Sequence, residues 1–374
     1  MAQTDLQPHS RSNTPGMLAL LEEHLPGTRV TLWPNPLTRE VENLLKTRFP
    51  RLEIASTEDA QIEALAQCDF FLHGSATELA GHHAVAMARD AGKPYGFAGV
   101  TLKDEEIVEH ADLLSGARFI FCRDTNSLVA LKRSGITGPT MEFGPDSTFA
   151  LDLRDEPAAD TFLKQHGLRE GNYLCVIPRL RTTPYWEVFP ESIPINHERE
   201  RLNQEYADVD HAKFRTAITA WVRQTGMRVC LVPEMTYQVS RLRSLLYDQL
   251  PEDVKPHVAT SDRFWLPAEA ASVYARAAAV LSLELHSPIM AIAAGTPAVH
   301  AKQPTDTRKG QMWRDIGLAS WLFEIEETNG DEIAERIVKI GTNQKAARKV
   351  VGEARSYVRS RMKTMMAATD LQFG

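Results

Sequence analysis

The sequence predicts an α/β protein built as two Rossmann-like domains facing a cleft. Three observations carry that expectation. Short β-rich runs alternate with longer amphipathic stretches along almost the whole chain, the rhythm of parallel sheets covered by helices. The rhythm pauses once, over residues 147–160, where DLRDEPAAD reads as a linker. Polar and charged residues recur just after the β-rich runs, where ligands bind in such sheets.

In the first half, strands are expected at 29–33, 52–55, 69–73, 94–98, 117–122 and 140–143. Helices are expected between them at 17–25, 38–48, 58–67, 78–91, 103–114 and 124–134. Ser56-Thr57 ahead of Glu58 punctuates a helix start, and Gly92 and Gly135 follow helix ends. In the second half, strands are expected at 173–178, 227–233, 257–260, 279–283 and 297–300. The matching helices are 158–166, 210–225, 238–250, 267–276, 288–294 and 331–340. Residues 182–208 have no clear period and contain Pro184, Pro190 and Pro194, so they read as a long loop. Tyr185 and Trp186 in it either stack on sugars or sit on a plain surface loop. A last helix, about 344–367, carries many Lys and Arg residues. The chain divides into an N-terminal domain (1–150), a C-terminal domain (151–342) and a terminal helix (343–374).

With 374 residues, 43% hydrophobic and 24% charged, the composition is that of a globular protein and excludes a fibrous or mostly disordered chain. The net charge of -7 argues against bulk binding to nucleic acid or anionic membrane, which needs a clustered excess of Lys and Arg. The amino-terminal MAQTDLQPHSRSNTPG lacks the apolar core of a signal peptide. No window holds about 18 apolar residues without charge, so no integral membrane segment is expected and the location read is cytoplasmic. Cys68, Cys122, Cys175 and Cys230 each adjoin an apolar run and show no CxxC spacing, so they read as core thiols rather than zinc ligands.

The most informative segment is SLELHSPIMAIAAGTPAVHAK, starting at Ser282. Ser287 suits an N-cap and Pro288 a first helical turn, so a helix opens directly after a strand. Its N-terminus is a seat for phosphate or carboxylate. Glu284 and His286 at i and i+2 point to one face, where the carboxylate can orient the imidazole. The plainer reading is a surface charge and a satisfied helix-start histidine. Arg308 and Lys309 form an anion clamp or a solvated loop face. Arg179 and Arg181 follow the strand 173–178 and either fork onto one anion or bridge acids. Glu234 follows 227–233 and can bind substrate hydroxyls.

In the first half, His73-Gly74-Ser75 is a fragment of a Gly-rich loop, without GxGxxG or the P-loop pattern. Asp124, after Arg123, suits an N-cap, and Asp146 reads as a turn residue. His82 and His83 point about 100° apart on a helix and cannot share a metal as an i, i+4 pair does. HExxH and GxSxG are absent, so no metal site is expected.

The runs CRDTNSLVALKRSGI, FGPDSTFAL and SLELHSPIMAIAAGTPAVHAK, with Lys309 beyond them, resemble the polysaccharide pyruvyl transferase family, over about residues 17–318. The resemblance implies a GT-B-like fold with a final helix crossing back. It also implies transfer of a pyruvyl group from phosphoenolpyruvate to a sugar as a ketal, with no separate cofactor. The partners it implies are a sugar or glycan acceptor and a small anionic donor, not nucleic acid. By motif, His286 matches the family's His after the strand, Arg179 its Arg and Lys309 its downstream Lys. Cys122-Arg123-Asp124 with Ser127 matches its Arg-Asp-x-x-Ser element. Glu284 stands where the family usually places Arg, and the Gly-rich loop is thinned to His73-Gly74-Ser75. The expected site is therefore His286 and Glu284 for catalysis. Arg179, Arg181, Ser287, Arg308 and Lys309 are expected on the donor. His73, Ser75, Arg123 and Glu234 are expected on the acceptor. Two alternatives remain open: a nucleotide-sugar-dependent GT-B glycosyltransferase, with Glu284 on ribose hydroxyls, and a non-catalytic carbohydrate-binding relative.

Overall fold

A computed structural model describes residues 13–34, 37–77 and 79–372, gathered into two compact units. Unit 1 is Met1–Asp152 with Thr307–Asp315 and Ser356–Gly374; unit 2 is Leu153–Asp306 with Ile316–Arg355. The chain thus returns to unit 1 twice, which a division at 150 and 342 does not capture. Arg308 and Lys309 consequently belong to unit 1, not to the second half. Most of the polar amino-terminal segment lies outside the described residues, as does Glu78, where one expected helix began.

Unit 1 opens with helix α1 (Asn13–His24) and a small parallel pair, β1 (Thr31–Leu32) and β2 (Glu53–Ile54), separate from the main sheet. The main sheet holds β3 (Phe71–His73), β4 (Ala76–Thr77), β5 (Tyr95–Thr101), β6 (Phe119–Cys122) and β7 (Thr140–Phe143). Its order is β3-β5-β6-β7, with β4 paired to the end of β5, and every pairing is parallel. β5 reads YGFAGVT and is buried at every position, as expected of a strand covered on both faces. Phe97, Val100, Ile120 and Leu131 are fully buried in its core, each side chain worth about 1.5–3 kcal/mol. β5 bulges at Gly99, whose φ of +86° suits glycine. A Cβ there would lie 2.5 Å from the Ser75 hydroxyl, so the bulge lets the 73–77 loop pack on the strand. Helix α2 (Thr125–Arg133) follows β6.

Unit 2 begins its sheet with β8 (Tyr173–Ile177), followed by helix α3 (His197–Thr225), β9 (Arg228–Leu231) and β10 (Val258–Thr260). Helix α4 (Pro267–Ala275), β11 (Ala279–Ser282), helix α5 (His286–Ala294), β12 (Ala298–Lys302) and β13 (Leu322–Glu324) come next. Helices α6 (Gly330–Thr342) and α7 (Gln344–Asp370) close the chain. The six parallel strands run β10-β9-β8-β11-β12-β13. Chain order reverses direction between β8 and β11, which makes the space beyond their carboxyl ends the topological switch point. α5 ends at Gly295, whose φ of +93° gives the left-handed cap.

Two expectations are corrected here. Residues 197–208 are not loop but the first half of the 29-residue helix α3. This half, HERERLNQEYAD, is too polar to show an apolar stripe. It is fixed instead by Asn196, whose side chain accepts from the Arg199 amide at 3.0 Å, and by Asn203, which holds the Thr182 amide at 2.9 Å. The helix expected at 238–250 is a short 3-10 turn, Thr236–Arg241, followed by one π turn, Arg243–Tyr247. Gln238 turns its side-chain oxygen onto the amides of Glu234 (2.6 Å) and Met235 (2.9 Å), tightening the first turn.

Candidate active site

The switch point of unit 2 gathers three loops. β8 delivers Arg179 and Arg181, β9 delivers Glu234, and β11 delivers Glu284 and His286. The start of α5 is capped from a distance. Glu234 Oε2 accepts from the Ser287 amide at 2.7 Å, and Oε1 lies 3.3 Å from His286 Nδ1. Ser287 is therefore not the N-cap; its hydroxyl instead accepts from Tyr274 at 3.0 Å. A carboxylate at that position complements the helix dipole. It also fixes the proton on Nδ1, so Nε2 is the ring nitrogen left for chemistry. Nε2 makes no hydrogen bond among the described residues. The expectation that Glu284 orients His286 is thus corrected: the loop after β9 supplies the acid. Glu234 is 3% exposed, which suits a positioning carboxylate better than a contact with substrate hydroxyls.

Glu284 instead faces Arg179, its Oε2 3.4 Å from Nε, and accepts from Gln238 Nε2 at 2.8 Å. Gln238 is fully buried, and its two ends tie the Glu234 backbone to the Glu284 carboxylate. Arg179 also donates to Asp306 and, at 3.0 Å, to Gln303. Burial opposes its charge, but Asp306 and Glu284 outweigh that and hold its pKa above the ordinary arginine value. Burial raises the neighbouring Tyr237 phenol, and Glu284 adds to the effect.

Arg181 does not join Arg179 on one anion. Its guanidinium forks onto Asp210 with two 3.0 Å bonds, reaches Glu326 at 2.6 Å and stacks 3.4 Å from the Tyr206 ring centre. Its exposure is 5%. The planar fork and aromatic stack are what arginine does best, and here they serve the protein itself. Gln303 links the two arginine systems by donating to Asp210 at 3.0 Å.

The residues expected on the acceptor side lie in unit 1. His73 Nε2 pairs with the Ala80 carbonyl at 2.8 Å, while buried Nδ1 has no partner. Burial lowers the pKa of His73, so the ring is neutral. Ser75 donates to the Ala98 carbonyl at 3.2 Å and accepts from the Ser147 amide at 3.0 Å. Arg123 is buried and fully engaged, bound to Asp146, to Thr101 at 2.8 Å and to Thr77 at 2.6 Å. Asp146 holds the turn as expected, one oxygen accepting from the Thr148 amide at 2.9 Å, while its other oxygen pairs with Arg123. Asp124 caps α2 through the Ser127 amide at 2.7 Å, and Ser127 bonds the Leu102 backbone. The Arg-Asp-x-x-Ser element is thus a buried brace. Arg308 pairs with Asp104 at 3.0 Å. Among the described residues, no cluster of His, Cys, Asp and Glu is placed to hold a metal. The described helices include none long and apolar enough to cross a membrane.

The sequence profile of the polysaccharide pyruvyl transferase family matches residues 15–301. The chain belongs to that family. It is an enzyme family whose members modify polysaccharides, and the match spans both the Arg123 brace and the Glu234–His286 pair. No curated protein shows a significant sequence match to the chain. Solved structures show the same fold at low identity. HepE of Anabaena, solved with UDP and glucose, aligns at 10% identity over 96% of this chain and 95% of its own, with a TM-score of 0.59. UDP-GlcNAc 2-epimerase from Neisseria meningitidis, solved bound to UDP-GlcNAc, aligns at 11% identity over 97% and 96%, with a TM-score of 0.60. UDP-GlcNAc 2-epimerase from Methanocaldococcus jannaschii aligns at 12% identity over 88% and 89%, with a TM-score of 0.55. This family member thus carries the two-sheet GT-B architecture.

Proposed function

We propose that this enzyme moves a pyruvyl group from phosphoenolpyruvate onto a sugar diol as a ketal. The observation that carries the reading is His286 at the switch point, its Nδ1 side held by Glu234, in a pyruvyl transferase family. The enol methylene of the donor takes a proton, and C2 becomes oxocarbenium-like. One sugar hydroxyl adds at C2 and gives up its proton. A second hydroxyl of the same sugar displaces phosphate, so one donor and one diol give one ketal and one inorganic phosphate.

His286 Nε2 is the group that hands over and takes back a proton. Glu234 keeps the ring in one tautomer and stabilises it when charged. Arg179 receives the donor anion by exchanging Glu284 or Asp306 for it. Arg181 positions Arg179 through Asp210 and Gln303.

Glu284 favours a second reading, nucleotide-sugar transfer. A partly exposed carboxylate at a switch point suits sugar or ribose hydroxyls, and HepE was solved with UDP and glucose. Phosphate release from phosphoenolpyruvate, measured with a panel of sugars, decides between them. The proposal expects acceptor-dependent release that falls about 10²–10⁴-fold in His286→Ala. Release of UDP from UDP-sugars, with none of phosphate, would replace it by the second reading.

A further inference from the structure

Helix α7 carries a charged ridge that the transfer reaction does not use. At 3.6 residues per turn, Lys345, Arg348, Lys349, Arg359 and Lys363 fall within an arc of about 100° on one face. Gly352 and Ser356 lie between them on the same arc, so no bulky side chain interrupts the row. All five basic residues are exposed. The opposite face, with Ala347, Val351, Ala354, Val358, Met362 and Met365, is buried in the protein.

Lys345, Lys349, Arg359 and Lys363 meet no acidic partner among the described residues, and Arg348 bonds only the Gly295 and Ala277 carbonyls. Glu353 flanks the row and Asp370 ends the helix. The row is about 27 Å long at 1.5 Å per residue. In a chain of net charge -7, such a row is a local excess that the overall balance hides.

We propose that this ridge docks the protein on an anionic lipid surface. Four to eight clustered basic residues on an amphipathic helix are the electrostatic signature of such binding. The chemistry of the row favours that partner. Five flexible Lys and Arg side chains on one helix face suit the diffuse charge of a headgroup surface, which asks for no fixed pocket. Single-stranded nucleic acid is bound in grooves with aromatic platforms. Here the centre of the row is Gly352 and Ser356, and the nearest exposed ring, Tyr357, lies about 120° round from Lys345. Attachment is by charge alone, since the ridge itself presents no large apolar side chain for insertion.

The test is flotation of the full chain with phosphatidylcholine vesicles, with and without phosphatidylglycerol. The wild type is expected to float only with the anionic vesicles and to be released by salt. In Lys345→Gln/Lys349→Gln/Arg359→Gln/Lys363→Gln, binding should weaken by about five-fold per charge removed, with turnover unchanged. A Lys345→Arg/Lys349→Arg/Lys363→Arg variant keeps the charge and should float like the wild type. Absence of flotation on anionic vesicles at low salt would overturn the proposal. So would equal flotation of the glutamine variant.

Discussion

The Glu234 carboxylate does two things at once: it accepts from the Ser287 amide at 2.7 Å and stands 3.3 Å from His286 Nδ1. One side chain from the loop after β9 therefore caps α5 and sets the tautomer of the histidine that opens it.

Replacing Glu234 separates these roles. In Glu234→Gln the amide oxygen still caps Ser287, but its NH₂ group faces Nδ1 and reverses the proton arrangement. Turnover should fall about 10²-fold or more, with little change in melting temperature. Glu234→Ala also removes the cap and should cost about 1 kcal/mol of stability. Parallel kinetics and denaturant titrations check both. Equal turnover in Glu234→Gln and wild type would end the tautomer role.

In the proposed reaction Glu284, 3.4 Å from Arg179, competes with the anionic donor for it. Glu284→Gln leaves the hydrogen-bonding shape but removes the charge, and KM for phosphoenolpyruvate should drop roughly five-fold, about 1 kcal/mol. Arg179→Gln should raise it. Steady-state kinetics read both directions, and a KM that rises in Glu284→Gln contradicts this arrangement.

The Arg123–Asp146 pair holds unit 1 together from inside. Both side chains are buried, and removing one leaves the other charge unpaired. Arg123→Leu or Asp146→Leu should each cost about 3–5 kcal/mol. The double variant should lose less than the sum, as a double-mutant cycle by urea unfolding will show.

His211, in the middle of α3, makes stability depend on pH. Its Nδ1 donates to the Ala207 carbonyl at 2.6 Å, and its buried Nε2 has no partner. Burial pushes its pKa down to about 4, against the smaller raising effect of that carbonyl. The folded state thus keeps the ring neutral while the unfolded chain binds a proton near the ordinary value of about 6.5. The contribution is whole above about 6.5 and shrinks as pH falls toward 4, by about 2 kcal/mol between pH 7 and pH 5. His211→Gln should flatten that part of the stability–pH curve.

How much was legible beforehand follows the range of the interactions. The β-α alternation and the polar residues after β8, β9 and β11 are local signals, and they located the switch point. The partner of each polar residue is not local. His286 and Glu234 stand 52 positions apart and meet only because β9 and β11 flank β8 in the sheet. Glu284, two positions from His286, was the nearer acid in sequence but points to Arg179. Arg181 reads as a ligand clamp because its partners are far along the chain: Asp210, 29 residues on, and the Tyr206 ring in the polar half of α3. That half had one readable signal, Asn196 ahead of Glu198 and Glu200, an N-cap with acids in the first turn.

The most direct test of the central claim is thermal unfolding of the purified enzyme against phosphoenolpyruvate and, separately, UDP and UDP-glucose. A bound ligand at 100 times its dissociation constant adds about 2.7 kcal/mol. Pyruvyl transfer predicts a rise in melting temperature with phosphoenolpyruvate that is lost in Arg179→Gln. A rise with UDP or UDP-glucose and none with phosphoenolpyruvate would contradict it.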